Sequence, residues 1–174
     1  MDARFSHPGD SGESKLSDGV PLPKDHPAFE ALGALDELAA ALGVVRSDIG
    51  GYVATREARA IRDAQRVLLA IGAEIAARAD SGAPARVSES DVNSLDELEA
   101  DLRASAPSPG GFVLPGATLT DARIHVARAA CRTAERRVVS CLRDGRSRLE
   151  PSVRYLNRLS GCLFWLALRF GRDL

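Results

Sequence analysis

Three arginines recur at every fourth position in one stretch of the chain: Arg128, Arg132 and Arg136, with Glu135 beside them. If the stretch is helical, this spacing stacks the guanidinium groups along one edge of the helix. Such a row of like charges repels itself and therefore requires anions nearby. Neighbouring helices could supply carboxylates. Alternatively a polyphosphate could lie along the row, because planar guanidinium groups suit phosphate oxygens. The sequence leaves both interpretations open.

The element that carries these arginines is predicted to be a packed helix within residues 115–141. Its apolar residues fall on one face at the 3.6-residue period, and they are Ile124, Ala127, Cys131, Ala134, Val138 and Cys141. Thr118 and Asp121 are suited to cap its start, and the Asp144-Gly145 pair to end it. Just before it, Phe112-Val113-Leu114 forms an apolar loop tip between glycines and prolines. This tip either meets a partner or folds over the end of the domain.

Length and composition are those of one globular domain. The chain has 174 residues and a net charge of −1, which gives no reason to expect nucleic-acid binding. Three cysteines stand apart without a CxxC pair or a histidine cluster, so neither a disulfide framework nor a zinc site is expected. No stretch approaches the roughly eighteen apolar residues of a membrane span, and a cytoplasmic location is expected.

Residues 1–25 are rich in Gly, Ser, Asp and Pro and show neither a helical nor a strand period, so they are predicted to form a loop or arm preceding a single helical domain at 26–174. Within them, Gly9 to Lys15 could approach phosphate through backbone N–H groups, or could be a flexible tail. Lys15 and Lys24 are the only lysines of the chain.

Five helices are predicted, which makes the fold an all-α bundle. The first runs from His26-Pro27 to about Arg46, with Phe29, Leu32, Gly33, Ala40 and Gly43 on one face, and a turn follows at residues 48–51. Asp36 lies on that small apolar face, where burial requires a cation such as the arginine row offers, unless Asp36 reaches solvent at the rim.

The other boundaries come from capping and breaking residues. The second helix spans about residues 54–79 and is broken at residues 81–84. Ser88 and Asp91 form a capping pair that opens the third helix, which runs to about Arg103. The last helix follows Glu150-Pro151, with Asn157 and Ser160 expected on its buried side, where their polar groups need partners from a ligand or a facing helix.

Several blocks, in order along nearly the whole chain, resemble the PduO-type ATP:cob(I)alamin adenosyltransferases. The strongest are residues 112–116 (FVLPG), 125–128 (HVAR), 131–137 (CRTAERR), and 154–160 (RYLNRLS) with Leu163-Phe164; supporting blocks are 9–12 (GDSG), 24–25 (KD) and 33–38 (GALDEL). The resemblance implies a ferritin-like five-helix bundle that assembles as a homotrimer and binds ATP and corrinoid where subunits meet. It implies transfer of the 5′-deoxyadenosyl group of ATP to reduced cobalamin, with release of triphosphate.

The resemblance also assigns roles to residues of this sequence. Arg132, Glu135 and Phe112 would be catalytic, Phe112 with Val113 and Leu114 would contact cobalamin, and Asp36 would pair with Arg128 between subunits. The implied ATP-binding set is Ser6, His7, Gly9, Asp10, Gly12, Ser14, Lys15, Lys24, Arg132, Glu135, Arg136 and Asn157. Mg²⁺ would enter with ATP rather than on dedicated protein ligands. A reductase and an adenosylcobalamin-dependent mutase would be further partners, with no nucleic acid and no membrane.

The sequence departs from the family pattern mainly in the ATP loop. The family's T-x-T-G-D-x-G-x-T segment corresponds to residues 6–14, SHPGDSGES, where Pro8 removes a backbone donor. Pro21 stands at a usual arginine, Leu32 at a usual tyrosine, Ala39 at a common asparagine and Gly161 at a usual aspartate. The altered loop leaves a second hypothesis open, namely a catalytically impaired homologue that carries cobalamin or a nucleotide.

Overall fold

Five helices and one short β-hairpin form the part of the chain that the structure, a computed structural model, describes: residues 7, 9–17, 19–50, 55–77, 87–143 and 147–171. The helices are α1 (Pro27–Gly50), α2 (Arg56–Ala76), α3 (Glu89–Ser105), α4 (Leu119–Arg143) and α5 (Glu150–Phe170), and a single 3₁₀ turn, Ser147–Leu149, leads into α5. The strands are β1 (Glu13–Lys15) and β2 (Pro21–Pro23). The prediction of a five-helix bundle is confirmed.

Side-chain caps start α3 and α4 where the sequence indicated. Ser88 and Asp91 form a reciprocal capping box at the start of α3. Thr118 accepts a hydrogen bond of 3.0 Å from the backbone N–H of Asp121 in the first turn of α4. The predicted breaks at residues 81–84 and 144–145 lie outside the described residues.

Helix α4 packs between α1 and α5, while α2 packs on α1 and α3 packs on α5. Its predicted apolar seam is buried as expected, because every seam residue from Ile124 to Cys141 is at most 1% exposed. Burial of this stripe fixes the rotation of α4 about its axis. The arginine edge is thereby directed away from the core, alongside α5.

Helix α1 differs from the prediction in length and in its buried face. It continues to Gly50, through most of the expected turn. Its core residues are Ala28, Ala31, Ala34, Leu35, Leu38, Leu42 and Val45, whereas Gly33, Asp36 and Ala40 are exposed. Alanine and glycine occur on all sides of this helix, so the period alone does not identify the face that one chain buries. Asp36 is therefore at the surface of the single chain.

The hairpin was missed by the sequence analysis, which expected only a loop. Strands β1 and β2 pair antiparallel, with Glu13 opposite Pro23 and Lys15 opposite Pro21. Three residues are too few to show an alternating pattern, and prolines are uncommon in strands. Among the described helices, none combines the length and the apolar character needed to cross a bilayer.

Candidate functional site

The three arginines of the row have no carboxylate partner among the described residues. Arg128 is half-buried, and Arg132 and Arg136 are exposed. Arg136 donates instead to the carbonyl oxygen of Arg132 and to Thr133 Oγ1, both at 3.0 Å. The interpretation in which neighbouring helices neutralise the row is therefore not realised within the described part of one chain.

Arginines close to the row behave differently. Arg137 lies 3.2 Å from Glu30, Arg154 lies 2.6 Å from Glu89, and Arg158 lies 2.7 Å from Asp96. The carboxylates of Glu30, Glu89 and Asp96 are thus engaged by arginines outside the row. Arg128 and Arg132 form no ion pair among the described residues, so their guanidinium donors are available for an anion from outside the described chain, whereas Arg136 also donates to Arg132 and Thr133.

Two members of the row, Arg128 and Arg132, line an open pocket between α4 and α5. Asn157, Phe164 and Trp165 of α5 line the same pocket. The Arg128 guanidinium lies over the Phe164 ring at 5.3 Å from its centroid, and the Phe164 and Trp165 rings meet edge to face at 5.4 Å. The pocket therefore combines cationic donors with an aromatic wall.

The position of Asn157 corrects the sequence analysis, which expected it on the buried side of α5. Asn157 is exposed and faces the pocket, while Leu156 next to it is fully buried. One residue corresponds to about 100° of helix rotation, which moves Asn157 off the core face. Ser160 is buried as expected, and its hydroxyl donates to the carbonyl oxygen of Asn157 at 2.9 Å.

The thiols near the pocket are not nucleophiles. Burial, with Glu135 as the next cause, raises the pKa of Cys131 far above its ordinary value. Burial, followed by the charges of Glu99 and Asp96, raises the pKa of Cys162 to about 12. A thiol that stays protonated at neutral pH cannot attack a substrate efficiently. Chemistry at this pocket therefore rests on its charged and amide groups.

The hairpin brings the N-terminal candidates together in a second pocket. Gly9, Ser14, Lys15 and Lys24 line it, with Ser11, Glu13 and Pro21. Gly9 has φ +95°, and a Cβ atom there would lie 3.1 Å from Lys24 Nζ, so the lysine amine lies directly against the glycine backbone. The backbone N–H of Lys24 also donates to the carbonyl oxygen of Gly12 at 2.9 Å.

Other N-terminal candidates stand differently. The Asp10 carboxylate accepts the backbone N–H of His7 at 2.9 Å, so it stabilises the local turn. Ser6 lies outside the described residues.

The hairpin pocket and the arginine pocket share no lining residue in the single chain. Asp36 likewise forms no ion pair with Arg128 within the described part of the chain.

The Phe112 loop projects away from the bundle. Relative exposure is 107% for Phe112 and 86% for Leu114, whereas Val113 is partly covered. The interpretation in which this tip folds over the end of the bundle is therefore wrong for Phe112 and Leu114. An exposed aromatic side chain on an anchored loop is available to a partner surface.

Asp121 anchors that loop, a role that the sequence analysis did not foresee. It is 2% exposed and its Oδ2 accepts the backbone N–H groups of Gly116 at 2.7 Å and Ala117 at 3.0 Å. His125, one turn further on α4, has Nε2 3.2 Å from Asp121 Oδ1, but without hydrogen-bond geometry. The pKa of His125 is lowered from its ordinary value, chiefly by burial. The charge of Asp121 opposes this shift, and the charge of Arg128 adds to it. The sequence signal that could have indicated this buried pair is the i, i+4 spacing of Asp121 and His125 on the apolar side of α4.

Comparison with known proteins places the chain among relatives of one kind. Residues 5–170 match the family model described as cobalamin adenosyltransferase. A corrinoid adenosyltransferase of Citrobacter freundii is 34% identical over 169 residues, which cover 94% of this chain and 92% of that protein. The human corrinoid adenosyltransferase MMAB is 31% identical over 94% of this chain and 66% of its own length. The chain spans only 48% of PduO of Salmonella typhimurium, at 33% identity.

Solved structures agree with the sequence relatives. A phenylalanine-to-alanine variant of the PduO-type ATP:corrinoid adenosyltransferase of Lactobacillus reuteri, complexed with cobalamin and ATP, superposes with a TM-score of 0.84 at 26% identity. The match covers 96% of this chain and 92% of that one. An arginine-to-lysine variant of the enzyme from the same organism, complexed with ATP, superposes with a TM-score of 0.80 at 27% identity, covering 96% and 94%. The chain therefore belongs to the cobalamin adenosyltransferase family.

Proposed function

We propose that this protein transfers the 5′-deoxyadenosyl group of ATP to the cobalt of reduced cobalamin, giving adenosylcobalamin and triphosphate. The observation that supports this most directly concerns Arg132. Its exposed guanidinium lines an open pocket and forms no ion pair with a carboxylate among the described residues. Family membership indicates ATP as the source of the missing anion, since relatives of this fold are complexed with ATP and cobalamin.

The proposed reaction is a substitution at C5′ of ATP. The electron pair of Co(I) forms the Co–C5′ bond while the C5′–O bond breaks, and that bonding pair leaves on the triphosphate. The barrier falls if cobalt, C5′ and the leaving oxygen are held in line and if the negative charge on the leaving group is stabilised. Arg132 and Arg136 supply that stabilisation, with Mg²⁺ carried in on ATP. Glu135 and Asn157 orient the nucleotide beside them.

The exposed loop tip is proposed to act on the corrinoid. Phe112, with Val113 and Leu114 beside it, covers one face of the corrin and excludes water and the lower ligand from cobalt. Loss of that ligand makes the cobalt easier to reduce to the nucleophilic Co(I) state. The Asp121 contacts to Gly116 and Ala117 keep the loop attached to the start of α4 while its tip stays free.

The remaining residues require a second subunit. The hairpin pocket, with Gly9, Lys15 and Lys24, is proposed to close over the phosphates at the arginine row of a neighbouring copy, because the two pockets are separate within one chain. Arg128 is proposed to pair with Asp36 across the same contact in a homotrimer. A reductase that delivers Co(I) and an adenosylcobalamin-dependent mutase complete the proposed partners, in the cytoplasm.

The decisive experiment is an anaerobic assay of the purified protein with ATP, Mg²⁺ and chemically reduced cobalamin. The expected result is conversion of the cob(I)alamin absorbance to that of adenosylcobalamin, with one triphosphate released per product. A flat spectrum over hours with folded protein overturns the proposal. Calorimetry that then showed corrinoid binding without ATP binding would favour the carrier hypothesis raised by the altered residues 6–14.

A further inference from the structure

Glu99 is an acid of α3 that has no basic partner on α5. Two side-chain pairs between these helices, one on either side of Glu99 in the sequence, share an offset of 62 positions: Asp96 binds Arg158 at 2.7 Å, and the Arg103 guanidinium lies over the Trp165 ring at 5.4 Å. At the same offset, Glu99 faces Gly161. Among the described residues no ion pair includes Glu99, although Arg128, Arg132 and Arg158 line the same pocket.

The absence of a side chain at Gly161 leaves the space that the Glu99 carboxylate occupies. A Cβ atom at position 161 would lie 2.8 Å from Glu99 Oε2 and 2.9 Å from Oε1, distances that real Cβ atoms essentially never show. Gly161 is in the middle of α5, where glycine lowers helix stability relative to alanine and no positive φ requires it. The glycine is therefore explained by the carboxylate that occupies the space of its missing side chain.

The carboxylate also has a defined position along the pocket. Helix α4 runs antiparallel to α5, with Cys131 against Leu156 and Arg128 against Phe164. Gly161 lies between Leu156 and Phe164, so the Glu99 carboxylate enters the pocket in the region lined by Arg128 and Arg132. A carboxylate repels phosphate and accepts hydrogen bonds from O–H and N–H donors. The pocket thus presents one carboxylate acceptor together with the guanidinium donors of Arg128, Arg132 and Arg158.

We propose that Glu99 is a substrate-binding residue that accepts hydrogen bonds from uncharged donors of the bound substrate, admitted to the pocket by Gly161. This inference rests on the proposed function, which supplies two sources of such donors: the ribose hydroxyls of ATP and the primary amides of the corrinoid.

The test compares Glu99→Gln with Glu97→Gln, an exposed acid on the same helix that does not line the pocket. Binding of ATP and of hydroxocobalamin is measured separately by calorimetry, so that the result does not depend on turnover. Glu99→Gln is expected to weaken binding of one of the two by about tenfold to a hundredfold, as for hydrogen bonds to a charged group. Glu97→Gln is expected to bind both like the wild type.

The two binding measurements identify which substrate supplies the hydrogen-bond donors to Glu99. If the ribose hydroxyls are bound, 2′-deoxy-ATP or 3′-deoxy-ATP binds the wild type more weakly than ATP, and Glu99→Gln removes that difference. If the corrinoid amides are bound, the loss is confined to hydroxocobalamin. Gly161→Ala displaces only the flexible end of Glu99, so it is expected to fold normally and to reproduce the loss. The double variant is expected to be no worse than either single variant.

Equal binding of both substrates by the Glu99→Gln and Glu97→Gln variants overturns this inference. A wild type that binds both substrates without turnover overturns the proposed function, while the comparison of binding still decides the role of Glu99. A wild type that binds neither substrate overturns both. A Gly161→Ala variant that folds and binds like the wild type contradicts the displacement of the carboxylate.

Discussion

The guanidinium of Arg128 lies over the ring of Phe164, with its Cζ atom 5.3 Å from the ring centroid. This contact joins α4 to α5 and holds the side chain in place without using its N–H donors in ion pairs. Arg128 is thus the half-buried member of a row whose other two arginines are exposed. Its role should accordingly differ from theirs.

Replacement of Arg128 by alanine is expected to weaken assembly. If the side chain pairs with Asp36 of a neighbouring copy, its loss strands a carboxylate in the contact, at a cost of order 3–5 kcal/mol. Analytical ultracentrifugation should show dissociation, and the melting temperature should fall. Arg132→Ala is the matched control from the same row and should stay assembled. If the Arg128→Ala variant melts and sediments like the wild type, the intersubunit pair is ruled out.

Replacement of Arg132 by alanine is expected to remove catalysis while leaving the fold intact. Its proposed partner is the leaving triphosphate, and loss of one such donor typically lowers kcat by about 10²–10³. Single-turnover formation of adenosylcobalamin measures the effect. Arg137→Ala, on the same helix but paired with Glu30 at 3.2 Å, is the control that should keep wild-type kcat. An active Arg132→Ala enzyme would refute the assignment.

Replacement of Phe112 by alanine is expected to lower transfer without changing stability. The side chain is fully exposed in the single chain, and such changes usually alter the free energy of unfolding by no more than about 0.5 kcal/mol. The electronic spectrum of bound cob(II)alamin should lose its four-coordinate signal. Leu69→Ala, at an exposed apolar position of α2, should leave both properties unchanged. A Phe112→Ala variant with wild-type spectrum and rate would contradict a role at the corrin.

Replacement of Gly9 by alanine is expected to raise the KM for ATP several-fold. The new Cβ would lie 3.1 Å from Lys24 Nζ, so the amine would have to shift by a few tenths of an ångström within the hairpin pocket. Gly19→Ala is the matched control, since its φ of +75° imposes a similar backbone strain of about 1–2 kcal/mol while nothing lies within 4 Å of its Cβ. Equal KM values for the two variants would show that displacement of Lys24 has no effect on ATP.

The sequence predicted best the features that depend on a strict period. Helix α4 carries apolar residues on one face and arginines on another, so its buried seam and its exposed arginine edge followed directly. The core face of α1 was not predictable in this way, because alanine and glycine leave several faces equally able to pack. A period is informative only where the side chains on different faces differ in hydrophobicity.

Features that depend on contacts between different elements could not be predicted from the sequence. The space that Gly161 leaves for Glu99 depends on the register of α3 against α5, which no local pattern encodes. The fit of Lys24 against Gly9 likewise requires the hairpin to form. Asn157 was identified as a site residue through the family motif, but its exposure depended on a rotation of about 100° that helix periodicity alone did not resolve.

The stability of the protein is expected to decrease as pH falls from 7.5 to 5.5, in part through His125. Burial lowers the pKa of His125 below its ordinary value of about 6.5, so the unfolded chain takes up this proton first as pH falls. The contribution is therefore fully present above about pH 6.5 and is lost below it, with a slope of at most about 1.4 kcal/mol per pH unit. Urea unfolding at several pH values measures the slope. His125→Gln should flatten it, whereas His7→Gln, at an exposed position, should not. Parallel pH profiles for His125→Gln and the wild type would show that the buried imidazole does not set this dependence.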